Sequence, residues 1–391
     1  MQASTRGRIA VIVSRFPTLT QTYVYDEILE LRRRGLDVQV FALIRERESR
    51  MHAAAKELDQ VIQTPRLLSR DGVGAQLYWL RRRPSAYFRL MAAAVANNPR
   101  PGVLARTIFA VVKGAVIARA CVRSGVQHVH AHFATYPTGA AVAVKALAGV
   151  PFSFTAHAHD IQIRQLGLSW KCSQASFVVT ISEFNREFMI AAVGDTLGRK
   201  IEVIRCGVDV EDFRTRPSTR SDPFTIICVA ALQERKGHQF LLEACRAIRY
   251  QVPGLRCVLV GDGPTKRALE ALIRNLDLAE TVSMLGWRPH HETLDLVRGA
   301  DVMVLPSTRI ANGSMEGIPV ALIEGMAAGL PVIGTRISGI PELIDDGTTG
   351  LLVAERDAVA LAGAIARLAG DAALRQRLGT ARQRLHSGHL E

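Results

Sequence analysis

Two glutamates stand eight positions apart in an otherwise apolar stretch of the chain. Residues 312–329 read NGSMEGIPVALIEGMAAG, and Glu316 and Glu324 are its only charged residues. Glutamate is rarely buried without a partner, so these carboxylates indicate a binding role. Proline suits a first helical turn and glycine a helix end, which predicts a helix with Pro319 in its first turn that runs to about Ala328 and is ended by Gly329. Glu316 would then lie in the loop before the helix, and Glu324 inside the helix.

The start of this predicted helix is suited to an anion. The amides of Gly317, Ile318 and Val320 would be free to bind a phosphate, because a helix N-terminus carries unpaired N–H groups and partial positive charge. The carboxylates on either side could accept hydrogen bonds from hydroxyl groups. The arrangement suits a ligand in which a diphosphate joins a sugar to a ribose.

Two further turns in this half of the chain have the same character. Residues 229–243, VAALQERKGHQFLLE, place Arg235 and Lys236 between a predicted strand and a predicted helix. Residues 260–264, VGDGP, contain Gly261 and Gly263, which permit a tight turn and close approach of the backbone. Each signal is weak alone, since a solvated turn explains it equally well.

Short β-branched runs alternate with helical patterns along the whole chain, which predicts an α/β fold. A helix is expected at 21–34, ending at Gly35. The polar segment 214–223, RTRPSTRSDP, interrupts the alternation and is typical of a linker. We therefore predict an N-terminal domain at 1–212, a linker at 213–223 and a C-terminal domain at 224–391, whose last helix could pack back on the first domain. Strands are expected at 9–13, 38–43, 128–132, 152–155, 177–180, 201–204, 224–230, 257–260, 282–285, 302–305 and 331–334.

The net charge of +13 belongs to the first third of the chain. Residues 1–125 contain 21 Lys+Arg against 9 Asp+Glu, and residues 126–391 contain 28 against 27. Residues 60–125, the basic region, hold 11 basic residues and one acid, Asp71, on helices expected at 74–96 and 102–123. Their arginines could be solvated on outer helices or could rest on anionic lipid. Nucleic acid is the weaker alternative, because no nucleic-acid motif is present.

The composition also indicates the cellular compartment of the protein. The six cysteines form no CxxC pair, which indicates reduced thiols rather than disulfides or structural zinc. The apolar run at 9–13 is too short for a signal-peptide core, and we expect no membrane span. We therefore expect a cytoplasmic protein.

Several motifs together resemble one known family. The E-x7-E pattern followed by MAAGLPVIGT and GIPELIDDGTTGLLV resembles the retaining glycosyltransferases of family 4, which have the GT-B fold. SRFPTLTQTYVYDEI, HVHAHFA, SFTAHAHDI, TISEF and CGVD look like the branch that builds bacterial exopolysaccharides, such as the colanic acid glycosyltransferases. The resemblance implies two Rossmann-like domains facing a central cleft, the first binding the acceptor and the second a nucleotide-sugar.

The resemblance also implies roles for individual positions. Glu316 matches the family's glutamate that contacts the donor sugar hydroxyls, and Glu324 matches the glutamate that binds the ribose. Lys236 matches the lysine that binds the donor diphosphate. His157 matches an N-domain histidine that reaches the donor sugar. The remaining implied positions are Gly286 and Trp287 at the base, the closing loop of Pro17, Thr18, Leu19 and Thr20, and the cleft residues His132 and Asp160.

One position departs from the family pattern. An arginine usually stands five residues before the diphosphate lysine, and here Ala231 occupies that position. Arg235 or Arg205 could supply the missing charge. A weakly active or non-catalytic nucleotide-sugar-binding paralogue therefore remains an alternative, as does a GT-B-type nucleotide-sugar epimerase. A NAD dehydrogenase is disfavoured because SRFPTLT after the first strand is not GxGxxG.

The implied reaction is hexosyl transfer with retention of anomeric configuration, from a UDP- or GDP-sugar to a lipid-diphosphate-linked acceptor. His130, His132, His157, His159 and Asp160 have side chains that could bind metal. The resemblance nevertheless implies that side chains and helix dipoles neutralise the diphosphate, so we expect no metal and no cofactor. The basic region would hold the enzyme peripherally at the inner face of the membrane.

Overall fold

Each half of the chain folds around a parallel β-sheet. The structure is a computed structural model that describes residues 7–18, 21–46, 58–98, 100–163, 167–208, 213 and 223–386. The chain divides into two compact units, unit 1 at Met1–Arg205 and unit 2 at Cys206–Glu391. Of the predicted linker at 213–223, only residues 213 and 223 are described, so its boundaries remain a prediction.

The sheet of unit 1 has seven strands in the order β3-β2-β1-β4-β5-β6-β7, and all its pairs are parallel. The central strands are buried on both faces, as parallel sheets covered by helices require. Its strands are β1 (Arg8–Phe16), β2 (Asp37–Arg45), β3 (Ile62–Gln63), β4 (His128–His132), β5 (Phe152–Ala156), β6 (Val178–Thr180) and β7 (Ile201–Val203).

The helices of unit 1 are α1 (Thr22–Arg33), α2 (Arg70–Arg82), α3 (Pro84–Ala96), α4 (Pro101–Ser124), α5 (Tyr136–Ala148), α6 (His159–Gln162), α7 (Leu168–Gln174), α8 (Glu183–Val193) and α9 (Asp195–Gly198). Helices α4 and α5 pack tightly because small residues meet there. A Cβ on Gly114 would lie 2.6 Å from the carbonyl oxygen of Ala140, so only glycine fits at this contact.

The sheet of unit 2 has six parallel strands in the order β10-β9-β8-β11-β12-β13. The strands are β8 (Thr225–Val229), β9 (Arg256–Val260), β10 (Val282–Gly286), β11 (Val302–Leu305), β12 (Val332–Thr335) and β13 (Leu351–Val353). The helices are α10 (His238–Ile248), α11 (Lys266–Asn275), α12 (His290–Arg298), α13 (Val320–Ala327), α14 (Ile340–Leu343), α15 (Ala358–Gly370) and α16 (Ala372–His386).

Strand order reverses once in each sheet. In unit 1 the reversal lies between β1 and β4, and in unit 2 it lies between β8 and β11. Ligands of open α/β sheets bind at such switch points, outside the carboxyl ends of the strands. The loops that follow these four strands are therefore the places where each unit should bind a ligand.

All eleven predicted strands are present, and the helix expected at 21–34 is α1. The prediction missed β3 and β13, which have only two and three residues. The prediction of one continuous helix at 74–96 was wrong, because α2 ends at Arg82 and a separate helix, α3, begins at Pro84. Proline fits a first turn but interrupts a helix interior, which explains the break.

Two other expectations need correction. By length and composition α4 could cross a membrane, contrary to the expectation that no segment approaches a span, but one of its faces is buried against the core of unit 1. Within the basic region, Lys113 is buried and donates to the carbonyl of Leu43, so it does not contribute to a surface. The predicted return of the last helix to the first domain remains a prediction; in unit 2, Gly379 of α16 packs against Gly329.

Candidate active site

The loops after β8 and β11 bring a lysine and a glutamate together in unit 2. Lys236 Nζ and Glu316 Oε2 form an ion pair, with only 12% and 11% of the two side chains exposed. Burial alone would raise the pKa of Glu316, but the charges of Lys236 and Arg235 outweigh it and lower the pKa. The carboxylate is therefore ionised at neutral pH and held mainly by charge, in a site largely removed from water.

Backbone contacts fix this pair of loops. Gly237 has a φ of +68°, and a Cβ there would lie 1.9 Å from the carbonyl oxygen of Pro306, at the exit of β11. The amide of Thr308 donates to the carbonyl of Arg235 at 2.8 Å. The close approach that glycine permits thus sets Lys236 beside the loop that carries Glu316.

Helix α13 begins four residues after Glu316. Its N-cap is Pro319, and its hydrogen bonds begin with the amide of Leu322, which donates to Pro319 at 3.0 Å. The amides of Ile318 and Val320 precede these bonds, so they lie where an anion can bind. The amide of Gly317 instead interacts with the Glu316 carboxylate, and this interaction also lowers the carboxylate's pKa.

Glu324 lies inside α13, as the sequence predicted, and is buried. Its Oε1 is 4.0 Å from Nδ1 of His290, the first residue of α12. The carboxylate therefore lies close to the start of α12. His290 was not among the predicted site residues, because nothing in its sequence context relates it to α13.

The other predicted donor residues of unit 2 have distinct surroundings. Arg235 Nε donates to Gln233 at 3.1 Å, and its charge reaches Glu316. Gly261 has a φ of +142°, and a Cβ there would lie 2.0 Å from the carbonyl oxygen of Ala230, so the backbone explains this glycine. Gly286 has a φ of +70° at the end of β10, before Trp287, and its carbonyl accepts from Gly261. Contacts of these residues with a donor remain predictions.

In unit 1, His157 follows β5 among aromatic side chains. Its ring centroid is 4.8 Å from that of Tyr23, 4.7 Å from that of Phe133 and 5.9 Å from that of His132. Burial, helped by the neighbouring His130, lowers the pKa of His157 to about 3, so the ring is neutral at pH 7. Among the described residues, its Nε2 has no hydrogen-bond partner.

Asp160 organises the loops that present His157. Its carboxylate accepts from the amide of Ala134 at 2.7 Å and from that of His157 at 3.0 Å. Lys171 Nζ lies nearby and donates to the carbonyls of Ala134 and Thr135 at 2.7 and 2.8 Å. Burial raises the pKa of Asp160 and lowers that of Lys171, and each residue's charge opposes the shift of the other.

The carboxylate of Asp160 therefore accepts hydrogen bonds from the loop backbone. Its predicted contact with the acceptor substrate remains a prediction. Lys171 was missed by sequence reasoning because it lies on α7, away from any motif. In the predicted closing loop, Pro17 is buried, and the carbonyl of Thr18 accepts from the Tyr25 hydroxyl at 2.9 Å. Leu19 and Thr20 lie outside the described residues, and Arg205 is the last residue of unit 1.

A carboxylate on α1 completes the surroundings of the unit 1 histidines. Glu27 Oε1 lies 3.8 Å from His130 Nε2 and 3.6 Å from His132 Nε2. Burial raises the pKa of Glu27 to about 7, although part of the side chain remains exposed. The sequence motif containing Glu27 was recognised, but only folding brings this residue against β4.

Two parallel-sheet α/β units, each with candidate ligand residues at its switch point, define the GT-B class of fold. Residues 20–212 match the family described as Glycosyltransferase Family 4, and residues 209–384 match Glycosyl transferases group 1. The chain is 32% identical over 377 residues to WcaL of Escherichia coli (strain K12), which is named as a colanic acid biosynthesis glycosyltransferase. The match covers 92% of this chain and 90% of WcaL. The chain belongs to this glycosyltransferase family.

Two further similarities agree with this assignment. The amylovoran biosynthesis glycosyltransferase AmsK of Erwinia amylovora is 28% identical over 370 residues, covering 92% of this chain and 90% of AmsK. The crystal structure of Anabaena HepE in complex with UDP-glucose has a TM-score of 0.72 at 18% identity, covering 98% of this chain and 95% of HepE. The structural similarity confirms the predicted GT-B fold, and the chain is a glycosyltransferase.

Proposed function

We propose that the protein is a retaining hexosyltransferase that moves a sugar from a nucleoside-diphosphate sugar to a lipid-linked glycan in exopolysaccharide synthesis. The observation that carries the proposal is the buried Lys236–Glu316 pair beside the start of α13, at the switch point of unit 2. The names of WcaL and AmsK support an exopolysaccharide product.

The donor half of the reaction is assigned to unit 2. Lys236 would contact the diphosphate, Glu316 the sugar hydroxyls and Glu324 the ribose, while the amides of Ile318 and Val320 receive a phosphate. Donor binding would exchange the Lys236–Glu316 pair for contacts with the ligand, so neither charge is left buried without a partner.

Arg235 is the best candidate to supply the positive charge that the family's arginine would bring to the diphosphate and that Ala231 cannot supply. Its positive charge already acts on Glu316, which supports a position near the diphosphate. Arg205 stays a second candidate from the sequence. If neither residue compensates, the alternative of a weakly active or non-catalytic paralogue gains support.

The proposed chemistry requires no covalent intermediate. The bond between the anomeric carbon and the diphosphate oxygen breaks as the acceptor hydroxyl attacks from the same face. The acceptor proton passes to the leaving diphosphate, and the enzyme contributes positioning and electrostatic stabilisation. A neutral His157 would hydrogen-bond the donor sugar through Nε2. Lys236 and the helix amides would neutralise the diphosphate, so we expect transfer without a cofactor and without added Mg²⁺.

The basic region would place the enzyme on an anionic membrane that carries its acceptor. Arg81 on α2 and Arg89 on α3 are exposed, and Phe88, beside Arg89, is 64% exposed. Each basic residue near anionic lipid contributes about 1 kcal/mol. Replacing Arg81 and Arg89 by alanine should therefore weaken binding to phosphatidylglycerol vesicles about 30-fold at low salt.

A flotation assay tests the membrane proposal. The wild-type protein should bind phosphatidylglycerol vesicles and not phosphatidylcholine vesicles, and exposed Arg267 of unit 2 changed to alanine provides the matched control. Equal binding by the double variant and the control would refute the assignment to this surface.

A ligand screen tests the catalytic proposal. UDP and GDP are compared by thermal shift, followed by their sugars, and UDP-glucose is the first donor to try because HepE was crystallised with it. A transferase should release nucleoside diphosphate only when an acceptor glycan is present, apart from slow hydrolysis. An epimerase would interconvert the sugar without acceptor, and a non-catalytic paralogue would bind without turnover. Failure to bind either nucleoside diphosphate would refute the proposal.

A further inference from the structure

Glu27, His130 and His132 form a cluster that the proposed transfer chemistry does not explain. Glu27 lies on α1, and the two histidines alternate along β4, so their side chains face the same side of the sheet. One ligand atom from each residue lies within 4.8 Å of the other two. In the described part of the chain, no other group of three His, Cys, Asp or Glu residues converges in this way. We refer to these three residues as the Glu27 cluster.

The spacing within the Glu27 cluster is characteristic of metal ligands. Glu27 Oε1 is 3.8 Å from His130 Nε2 and 3.6 Å from His132 Nε2. Both distances are too long for hydrogen bonds, which extend to about 3.2 Å. Zinc bonds of about 2.0–2.1 Å in tetrahedral geometry hold neighbouring ligand atoms about 3.3–3.5 Å apart. To reach ligand geometry, the two distances from Glu27 would shorten by about 0.1–0.5 Å, and the distance between the two histidine nitrogens, which lie within 4.8 Å of each other, by up to about 1.5 Å.

His132 provides an independent indication of a ligand. The residue is completely buried, and neither of its ring nitrogens has a hydrogen-bond partner among the described residues. Buried polar groups normally have such partners, so this ring needs an explanation. Its Nε2 faces the Glu27 carboxylate, where a bound ion would satisfy it.

His130 already has the outer support that a metal-bound histidine needs. Its Nδ1 lies 2.9 Å from Ser153 Oγ, which in turn lies 2.7 Å from His128 Nε2. A proton on Nδ1 directed at Ser153 leaves the Nε2 lone pair facing Glu27, as second-shell partners do in metal sites. Thr155 Oγ1, 2.9 Å from this Nε2, would give up its hydrogen bond to the incoming ion.

We propose that Glu27, His130 and His132 bind one divalent transition-metal ion of the Zn²⁺ class, with a fourth position open to water. Two imidazoles and one carboxylate are ligands that Zn²⁺ accepts. Burial favours the neutral imidazoles that metal binding requires. The positive ion would also compensate the Glu27 carboxylate, which has no ion pair with Lys or Arg among the described residues.

The ion would fix helix α1 to strand β4. Tyr23 lies on the same helix as Glu27, and its ring contacts that of His157. Metal binding would thus hold the surroundings of His157 in place. The site lies within unit 1 and is separate from the diphosphate chemistry assigned to Lys236, so it does not depend on the proposed transferase mechanism.

Metal titration of the full chain tests the proposal. The protein is treated with chelator, which is then removed, and is titrated with Zn²⁺ by calorimetry and with Co²⁺ by visible absorption. We expect one ion per chain, the absorption bands of four-coordinate Co²⁺, and a higher melting temperature with Zn²⁺. Glu27→Gln and His132→Asn should each weaken Zn²⁺ binding by about 100-fold or more, since even second-shell losses cost about 10–100-fold.

His291→Asn, at an exposed histidine on α12, is the matched control and should bind the ion as the wild type does. Circular dichroism verifies that each variant is folded. The proposal is overturned if folded wild-type protein binds neither ion stoichiometrically. It is equally overturned if Glu27→Gln and His132→Asn retain the affinity of the control.

Discussion

The Lys236–Glu316 pair allows a test that separates catalysis from folding. Lys236→Met leaves the Glu316 carboxylate buried without its nearest cation. Removing one member of a buried pair costs about 3–5 kcal/mol; because Arg235 remains and about a tenth of each side chain is exposed, we expect about 2–4 kcal/mol here. Urea unfolding followed by circular dichroism measures the loss in free energy of unfolding.

The double variant Lys236→Met with Glu316→Gln should recover most of that stability. Both charges are then absent, and the amide of Gly317 can donate to the glutamine oxygen. The double-mutant cycle should show a coupling energy of about 2–3 kcal/mol. Arg33→Met, which breaks an exposed ion pair with Glu30, is the control and should cost less than about 1 kcal/mol.

Catalysis should not recover with stability. Loss of a charge directed at the leaving group costs about 2.7–4 kcal/mol, so the double variant should release nucleoside diphosphate at least about 100-fold more slowly than the wild type. A stable double variant with activity within tenfold of the wild type would refute the catalytic assignment. No measurable coupling in stability would refute the ion pair itself.

The pH dependence of the single variant provides a further test. In the wild type the pKa of Glu316 is lowered, so its contribution to stability is present above the unfolded pKa of 4.5 and is lost as pH falls through the folded value. In Lys236→Met, burial acts with less opposition and shifts that pKa upward. The stability gap between the two proteins should therefore narrow as pH falls from 7 to 5, and a constant gap would contradict this electrostatic account.

Three further predictions concern other residues of the two sites. Glu324→Ala should weaken UDP or GDP binding about tenfold in calorimetry, the loss of one charge-assisted hydrogen bond; unchanged affinity would exclude a ribose contact. Ala231→Arg should tighten binding of the same nucleotide by up to about tenfold, and Arg235→Met should weaken it; no effect of either change would remove this turn from the diphosphate site. The stability of unit 1 should fall as pH drops below 6.5, because the pKa of His130 is lowered to about 4 and the unfolded chain then binds more protons. His130 contributes up to about 1.4 kcal/mol per pH unit, and the raised pKa values of Glu27 and Asp160 oppose this contribution. His130→Gln should reduce, without abolishing, the fall in melting temperature between pH 6.5 and 5, because buried His157 also has a lowered pKa. An unchanged slope would contradict this account.

The sequence alone determined the strands, the turns and the position of the two glutamates relative to α13. These features depend on local patterns: buried β-branched runs give the strands, and Pro319 and Gly329 bracket the helix. Local patterning explains why the expected strands were found, while β3 and β13 were missed because two or three residues carry too little pattern. The family motifs added the roles of Lys236 and Glu316, which no local pattern specifies.

Only the tertiary structure decided which of these residues meet. Lys236 and Glu316 are 80 positions apart, and they pair because β8 and β11 are neighbours in the sheet. Glu27 reaches the β4 histidines for the same reason, since β1 and β4 are neighbours in unit 1. Burial likewise means that Lys113 does not contribute its charge to the surface of the basic region. Long-range pairing and burial depend on the packing of the whole unit, which no short stretch of sequence contains.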